Sequence, residues 1–244
     1  MSARRATVQA QRAGGLWPAI SEGIPTSVAG IRIRLARPED DAAVRRYVIQ
    51  ATEDQNVNDV TKPVPIACPT IRAGLETGRD GFLERLARAL VELDPDAPES
   101  WVMVAFSLVA VNEDDEVVGS VTVSPPYTYL DGILRGRTDE ETKMLMLQAQ
   151  FGLSKVTAVA VREDLRGHGI GADLVNTALQ VLRRCGMGLI VFGYCLPERT
   201  AFYRRLGFKI SPLGQPIDLY LALGIHALIS TPDHHAFSIE RVSR

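Results

Sequence analysis

The sequence predicts a mixed α/β domain: one central, mostly antiparallel sheet with a single parallel strand pair and helices on both faces. Three observations lead there. Two apolar, β-branched runs at 101–111 and 117–123 flank the turn-forming stretch Asn112-Glu113-Asp114-Asp115-Glu116, which makes an antiparallel hairpin. A strand at 156–161, a glycine-rich turn, a helix at 172–185 and a strand at 189–194 make a right-handed crossover and hence a parallel pair. Further helical segments on either side of the hairpin supply the layers.

In chain order, Ile31-Arg32-Ile33-Arg34-Leu35 alternates apolar and charged residues and opens the sheet. Pro38, with Glu39, Asp40 and Asp41 behind it, starts a helix that runs to about residue 51, because proline tolerates a first turn and acids favour the positive helix end. Residues 52–69 are polar, proline-punctuated loop. Leu83, Leu86 and Leu90 mark a helix over 80–93, stopped by Pro95 and Pro98. Gly119 is a candidate bulge in the hairpin. Residues 125–153 form an inserted connection whose own helix is announced by the capping pattern Thr138-Asp139-Glu140-Glu141. The 172–185 helix puts Leu174, Ala178 and Leu182 on one face and Arg183 and Arg184 in its last turn. Pro197 opens a short helix carrying Phe202 and Leu206, and final strands follow at 208–210 and 217–223. The last twenty residues show no periodicity. The domain is therefore bounded at 31–223, with a loose extension at 1–30 and a second extension at 224–244.

Composition narrows the function. The 244 residues carry 27 Lys plus Arg against 29 Asp plus Glu, so no overall basic footprint for nucleic acid exists. A hydrophobic share of 46% is too high for a wholly disordered chain. The apolar run 101–111 contains Ser107 and is about half of a bilayer span of ~20 residues, so no membrane role is expected. Cys68, Cys185 and Cys195 are too scattered for a disulfide framework, and with the four histidines they form no metal-ligand spacing. A reducing, cytoplasmic setting without a metal is the expectation. Residues 1–20 hold Arg4, Arg5 and Arg12 and no acid; they are read as a loose tail in preference to a transit peptide.

The informative segment is Val159-Ala160-Val161-Arg162-Glu163-Asp164-Leu165-Arg166-Gly167-His168-Gly169-Ile170-Gly171-Ala172. Three alternating glycines remove Cβ atoms where a helix begins, so the backbone can approach a ligand and adopt positive φ. The first helical amides lack internal partners, and the helix dipole favours negative charge there. A pyrophosphate is the natural occupant, with Arg166 adding a fork of donors. Gly167, Gly169 and Ala172 also fit a dinucleotide fingerprint. That pattern wants its glycine directly after the strand and an acid about 20 residues on, and neither is found. No Gly-Lys-Ser/Thr occurs either.

The segment resembles the acyl-CoA loop of the GNAT superfamily of N-acetyltransferases, R/Q-x-x-G-x-G/A behind a V-x-V strand. Arg166 to Gly171 fits in full, and Val159-Ala160-Val161 supplies the strand. Glu163 stands where many members have proline. Ala201-Phe202-Tyr203-Arg204-Arg205-Leu206-Gly207-Phe208 resembles the family's F/L-Y-x-x-x-G-F, with Tyr203 37 residues after Arg166. The likeness spans about residues 31–223.

That resemblance implies an enzyme moving an acetyl or other acyl group from acetyl-CoA, a cosubstrate, to a primary amine by direct attack. Val159, Ala160, Val161, Arg166, Gly167, His168, Gly169, Ile170, Gly171 and Ala172 would bind the acyl-CoA. The strand pair would splay, and the pantetheine arm would add along the exposed edge. A backbone N–H there would stabilise the developing oxyanion. Tyr203 would protonate the departing thiolate, and no general base is assigned. His168 is expected beside the phosphates or at the surface, and His234 and His235 at the surface. Cys195 is expected as a packed residue, and Glu163 and Asp164 as solvated turn residues. The acceptor, a small-molecule or protein amine, would meet the first helices, the 52–79 loop and the insertion, with Tyr127, Tyr129, Met144 and Met146 as candidate walls. Glu53, Asp54 and Asp59 are read as a solvated face in preference to a cation lure. A homodimer is compatible with all of this. The alternative is an acyl-CoA-binding or sensing domain without turnover.

Overall fold

The computed structural model describes residues 16–53, 66, 68–92, 104–126, 145, 148–149, 151–220, 224, 228–229 and 231–240. The elements are α1 (Leu16–Glu22), β1 (Ile24–Pro25), β2 (Arg32–Leu35), α2 (Asp41–Glu53), α3 (Pro69–Thr77), α4 (Arg79–Glu92), β3 (Phe106–Val111), β4 (Val117–Ser124), β5 (Leu153–Val161), α5 (Ile170–Cys185), β6 (Ile190–Cys195), α6 (Thr200–Arg205), β7 (Lys209–Ile210), β8 (Ile217–Asp218), β9 (Leu228–Ile229) and β10 (His235–Glu240). Hydrogen bonding links eight strands in the order β1-β2-β3-β4-β5-β6-β10-β7. The β5–β6 pair is parallel, and β1–β2, β2–β3, β3–β4, β6–β10 and β10–β7 are antiparallel. This is the mixed sheet that the hairpin and crossover predict.

The chain divides into two compact units. The first comprises residues 1–123 and 157–185, the second 124–156 and 186–244. In the first, every residue of β3 is buried, so both faces of that strand are covered. Helix α2 sets Val44 and Tyr47 against Val109, Val111 and Val117. Helix α5 packs on β2 and β3, and also on α3 and α4. Its apolar stripe of Leu174, Val175, Ala178, Val181 and Leu182 is buried. In the second unit, β10 lies between β6 and β7, and β8 and β9 form a separate two-stranded sheet.

A buried ion pair fixes the start of α2. The Arg34 guanidinium donates to both Asp40 carboxylate oxygens, at 2.6 and 3.1 Å, with side chains 4% and 8% exposed. Asp40 also accepts from the Arg37 amide at 2.7 Å, closing the turn before the helix. In the β3–β4 hairpin, the Asn112 side-chain oxygen accepts from the amides of Asp114 and Glu116. Asp115 adopts φ 61°, and its carboxylate reaches both Arg34 and Arg37 at 3.2 Å. Burial alone would raise the Asp40 pKa. The Arg34 guanidinium and the Arg37 amide outweigh it and hold the group below its ordinary value.

The structure departs from the sequence expectations in five places. The strand expected over 217–223 covers only Ile217–Asp218 among the described residues. Residues 69–77, expected as part of a loop, form α3. Thr70, Ile71, Gly74 and Leu75 are buried at helical spacing and Pro69 occupies the first turn. Residues 16–25, expected within an extension, form α1 and β1, with Leu16 and Ile20 buried. The parallel strand begins at Leu153, three residues early. The tail assigned no periodicity contains β10, which pairs with β6 from His235 to Glu240. Its sequence, HAFSIE, sets the buried Ala236 and Phe237 side by side, which breaks the alternation and leaves too short a periodic run. The helix expected after Thr138 lies almost wholly outside the described residues, as do 54–65.

Asp40→Asn would leave Arg34 buried with Asp115 as its remaining carboxylate. We expect a loss of about 3 kcal/mol in urea unfolding at neutral pH, the low end for breaking a buried pair. A carboxylate whose folded pKa is depressed contributes fully above its unfolded value of about 3.9 and loses that contribution as pH falls through the folded value. The Asn variant should therefore lack this part of the acid-induced destabilisation.

Candidate active site

The site begins with an irregularity in the hairpin. Ala110 pairs with Gly119 but Val111 pairs with Val117, so Val118 is the extra residue of a β-bulge. Its freed carbonyl accepts from the Arg162 amide at 2.8 Å, which anchors the chain as it leaves β5. Gly119 is needed here, since a Cβ would stand 2.9 Å from the Ala160 carbonyl oxygen. Arg162 also pairs with Glu116 at 3.1 Å and Asp164 at 2.8 Å. This agrees with Glu163 and Asp164 as exposed turn residues, and the Arg162 charge holds the Asp164 carboxyl below its ordinary pKa.

Beyond Leu165 the loop presents its main chain. Residues 166–169 are exposed. Gly167 has φ +79° and Gly169 φ +98°, the region that glycine alone occupies without strain. The first helical hydrogen bond of α5 runs from the Asp173 N–H to the Gly169 carbonyl at 3.0 Å. Among the described residues, no carbonyl accepts from the amides of Gly167 to Ala172. The Arg166 amide is already taken by the Glu163 carbonyl at 3.2 Å, and the Arg166 Nε donates to the Val161 carbonyl at 3.1 Å. Arg166 thus buttresses the turn as well as adding charge.

Sequence reasoning missed one partner of this loop. Ser27 donates from both its amide and its hydroxyl to one Asp173 carboxylate oxygen, each at 2.7 Å, and its hydroxyl lies 3.4 Å from the His168 carbonyl. A Cβ on Gly169 would come within 2.7 Å of the Ser27 Oγ. The acid in the first turn of α5 is visible in the sequence; a partner 146 residues away is not.

In the second unit, Tyr203 is 8% exposed on α6. Its ring stacks on Phe237, with centroids 3.6 Å apart and planes at 11°, and meets Phe202 and Phe208 edge-on. Burial, then the neighbouring Cys195, raises its pKa above the ordinary value, while Arg199 opposes the shift. The phenol is therefore neutral near pH 7. Cys195 is buried and its pKa is pushed up to about 11 by burial and Glu198, so it carries a thiol and not a nucleophilic thiolate. This fits a packed residue. His234 corrects a surface expectation: it is 6% exposed, with neither ring nitrogen hydrogen-bonded. His235 is half-buried, its Nδ1 2.8 Å from the Ser211 carbonyl.

Comparison with known proteins bears on what this geometry serves. The model of the acetyltransferase (GNAT) family matches residues 82–208, more than half of the chain. The chain belongs to that family. Solved structures similar to this acetyltransferase-family chain include a GCN5-related N-acetyltransferase from Kribbella flavida, at 15% identity and TM-score 0.46, covering 87% of this chain and 98% of that one. A GNAT-family acetyltransferase from Brucella melitensis, in complex with acetyl-CoA, matches at 23% identity and TM-score 0.40, covering 73% and 82%. Comparison with curated proteins finds no match.

For this family member, the predicted loop residues Arg166 to Ala172 lie together at the end of β5, where Val159 and Ala160 are half-buried and Val161 is buried. The β5–β6 ladder joins Leu153–Lys155 to Ile190–Phe192 and carries no further registered pairs. Tyr203 belongs to the other unit. Tyr127, Tyr129, Met144, Met146, Asp54 and Asp59, considered for the acceptor side, lie outside the described residues. Among the described residues no group of three His, Cys, Asp or Glu could hold a metal ion, and no helix is long and apolar enough to cross a membrane.

Gly167 has open space around its missing Cβ, so Gly167→Ala should cost only the conformational strain, about 1–2 kcal/mol in urea unfolding. Gly169→Ala adds the overlap with Ser27 and should cost more. Equal losses in the two variants would show that the Ser27 contact does not constrain the loop.

Proposed function

We propose that this protein transfers an acyl group, acetyl in the first instance, from acyl-CoA to a primary amine on a small molecule or protein. The observation that carries the proposal is the run of amides from Gly167 to Ala172 at the mouth of α5 with no carbonyl partner among the described residues. Six unpartnered donors at a positive helix end suit a diphosphate bridge, and membership of an acetyltransferase family supports reading that bridge as part of coenzyme A.

The thioester supplies the acyl group and a thiolate as leaving group. Amides of the loop hold the diphosphate, and the exposed Arg166 adds positive charge beside it. The pantetheine arm is assigned to the main chain of residues 159–161, which it would join as an added strand. A donor from residues 159–161 facing the thioester oxygen would stabilise the charge that develops on attack; losing such a donor typically costs about 2.7–4 kcal/mol.

Tyr203 is assigned the proton for the departing sulfur, following its motif. The magnitudes define the form of that step. A free phenol near ~10 and a thiol near ~8.5 make full transfer uphill by about 2 kcal/mol. Burial raises the phenol further, so the contribution is a hydrogen bond or partial transfer at the transition state. The same burial keeps the proton in place across the working pH range. An ammonium acceptor must shed its own proton before attack, and this proposal gives that role to no named residue. The compartment we propose is the cytoplasm.

Thermal shift with CoA, acetyl-CoA and NAD(P), followed by thiol release over an amine panel, tests the assignment. Stabilisation by the first two and thiol release with at least one amine are expected. A shift with NAD(P) alone would overturn the proposal, and CoA binding without thiol release on any amine would favour a binding or sensing domain. Tyr203→Phe should lower kcat by roughly 10²-fold or more with little change in KM for acetyl-CoA. Unchanged turnover would remove the tyrosine from the chemistry.

A further inference from the structure

We propose that Phe237 is a positioning residue for the reaction: its ring, stacked face to face on Tyr203, fixes the plane and direction of the phenol that meets the leaving thiolate. The inference rests on the role given to Tyr203 above, but its structural half stands separately. Phe237 lies outside the stretch matched by the family model and inside the tail that showed no sequence pattern.

The argument starts from what does not hold the tyrosine. Among the described residues its hydroxyl makes no hydrogen bond to protein, so no contact of that kind sets the ring's orientation. Packing alone does so. Phe202 at 4.9 Å and Phe208 at 5.9 Å present their rings at near right angles to that of Tyr203, and Phe237 covers a flat face at 3.6 Å. Aromatic pairs left to themselves favour offset or edge-on arrangements over close face-to-face stacking. The stack is therefore imposed by the sheet. Phe237 is fully buried and is registered on one side against Gly193 of β6 and on the other against Ile210 of β7. Its ring lies over Gly193, where any Cβ would overlap it. Gly193 thus lets Phe237 lie flat, and Phe237 in turn holds Tyr203. A loosened phenol would sample directions in which its hydroxyl misses the sulfur, while acyl-CoA binding at the loop would be unaffected. A misplacement on the order of 1 Å can cost as much as ~10²-fold in rate.

The experiment compares Phe237→Met, which keeps volume but loses the rigid face, and Phe237→Leu, each alone and with Tyr203→Phe. We expect kcat to fall roughly ten- to a hundredfold at unchanged KM for acetyl-CoA, and no further fall in the Tyr203→Phe background. Wild-type kcat in Phe237→Met, or the same loss with and without the Tyr203 hydroxyl, overturns the proposal. A second measurement follows the Tyr203 ring itself by NMR relaxation on ring-labelled tyrosine, assigned through Tyr203→Phe. Ring flips should speed up about tenfold or more in Phe237→Met. Unchanged flips overturn the positioning role. Wild-type turnover in Tyr203→Phe, with faster flips in Phe237→Met, would instead reject the catalytic reading of Tyr203 and leave the structural half standing.

Discussion

Backbone N–H groups at the start of a helix must find acceptors, and in the first turn of α5 they find no carbonyl among the described residues. That requirement organises much of the first unit. The bulge at Val118 turns a carbonyl outward to take the Arg162 amide, so the chain leaves β5 in a fixed direction. Arg166 spends its Nε on the Val161 carbonyl and its amide on Glu163, which closes the turn below the open donors. Positive φ at Gly167 and Gly169 then carries the main chain past the helix mouth without side chains in the way. Each of these contacts is local and modest, of order 1 kcal/mol. Their shared effect is to fix the path of the main chain from β5 into α5.

An acid in the first turn works against such a site, and Asp173 is one. The charge favours the helix dipole but would repel a diphosphate. The two hydrogen bonds from Ser27 draw one of its oxygens toward the β1–β2 turn. The same turn packs against Gly169, so one element both engages the carboxylate and shapes the loop. In the second unit the balance is different. Tyr203 has no hydrogen-bonded anchor among the described residues and sits among aromatic rings, and its burial raises its pKa and preserves its proton.

What could be read from the chain divides along the range of the interactions. The hairpin, the crossover and the loop were legible because each is encoded within a few residues: turn formers at 112–116, alternating glycines at 167–171, helical spacing at 174–182. The bulge was legible from Gly119. Helix α3 was not, because nine residues punctuated by glycine and threonine give too short a periodic signal. Strand β10 was not, because adjacent apolar residues at Ala236 and Phe237 interrupt a run only six residues long. Ser27 could not be connected to Asp173, nor Phe237 to Tyr203, since nothing local in either segment marks a partner so far along the chain. The candidate site was thus visible where main chain makes it and hidden where tertiary packing supports it.

Strand β10 also constrains the order in which the second unit can assemble. It lies between β6 and β7, and β7, two residues long at the sheet's edge, pairs with β10 alone. Residues 196–234 must therefore close as one large loop before β6 gains β10 as a partner, an entropic cost that grows only slowly with length but delays the contact. Until then the outer edge of β6 stands bare, with Ile190, Val191 and Phe192 available to any other extended chain. Edges of this kind are where strand exchange and aggregation begin. Folding yield, more than equilibrium stability, is thus the property most exposed to changes in the segment joining β7 to β10.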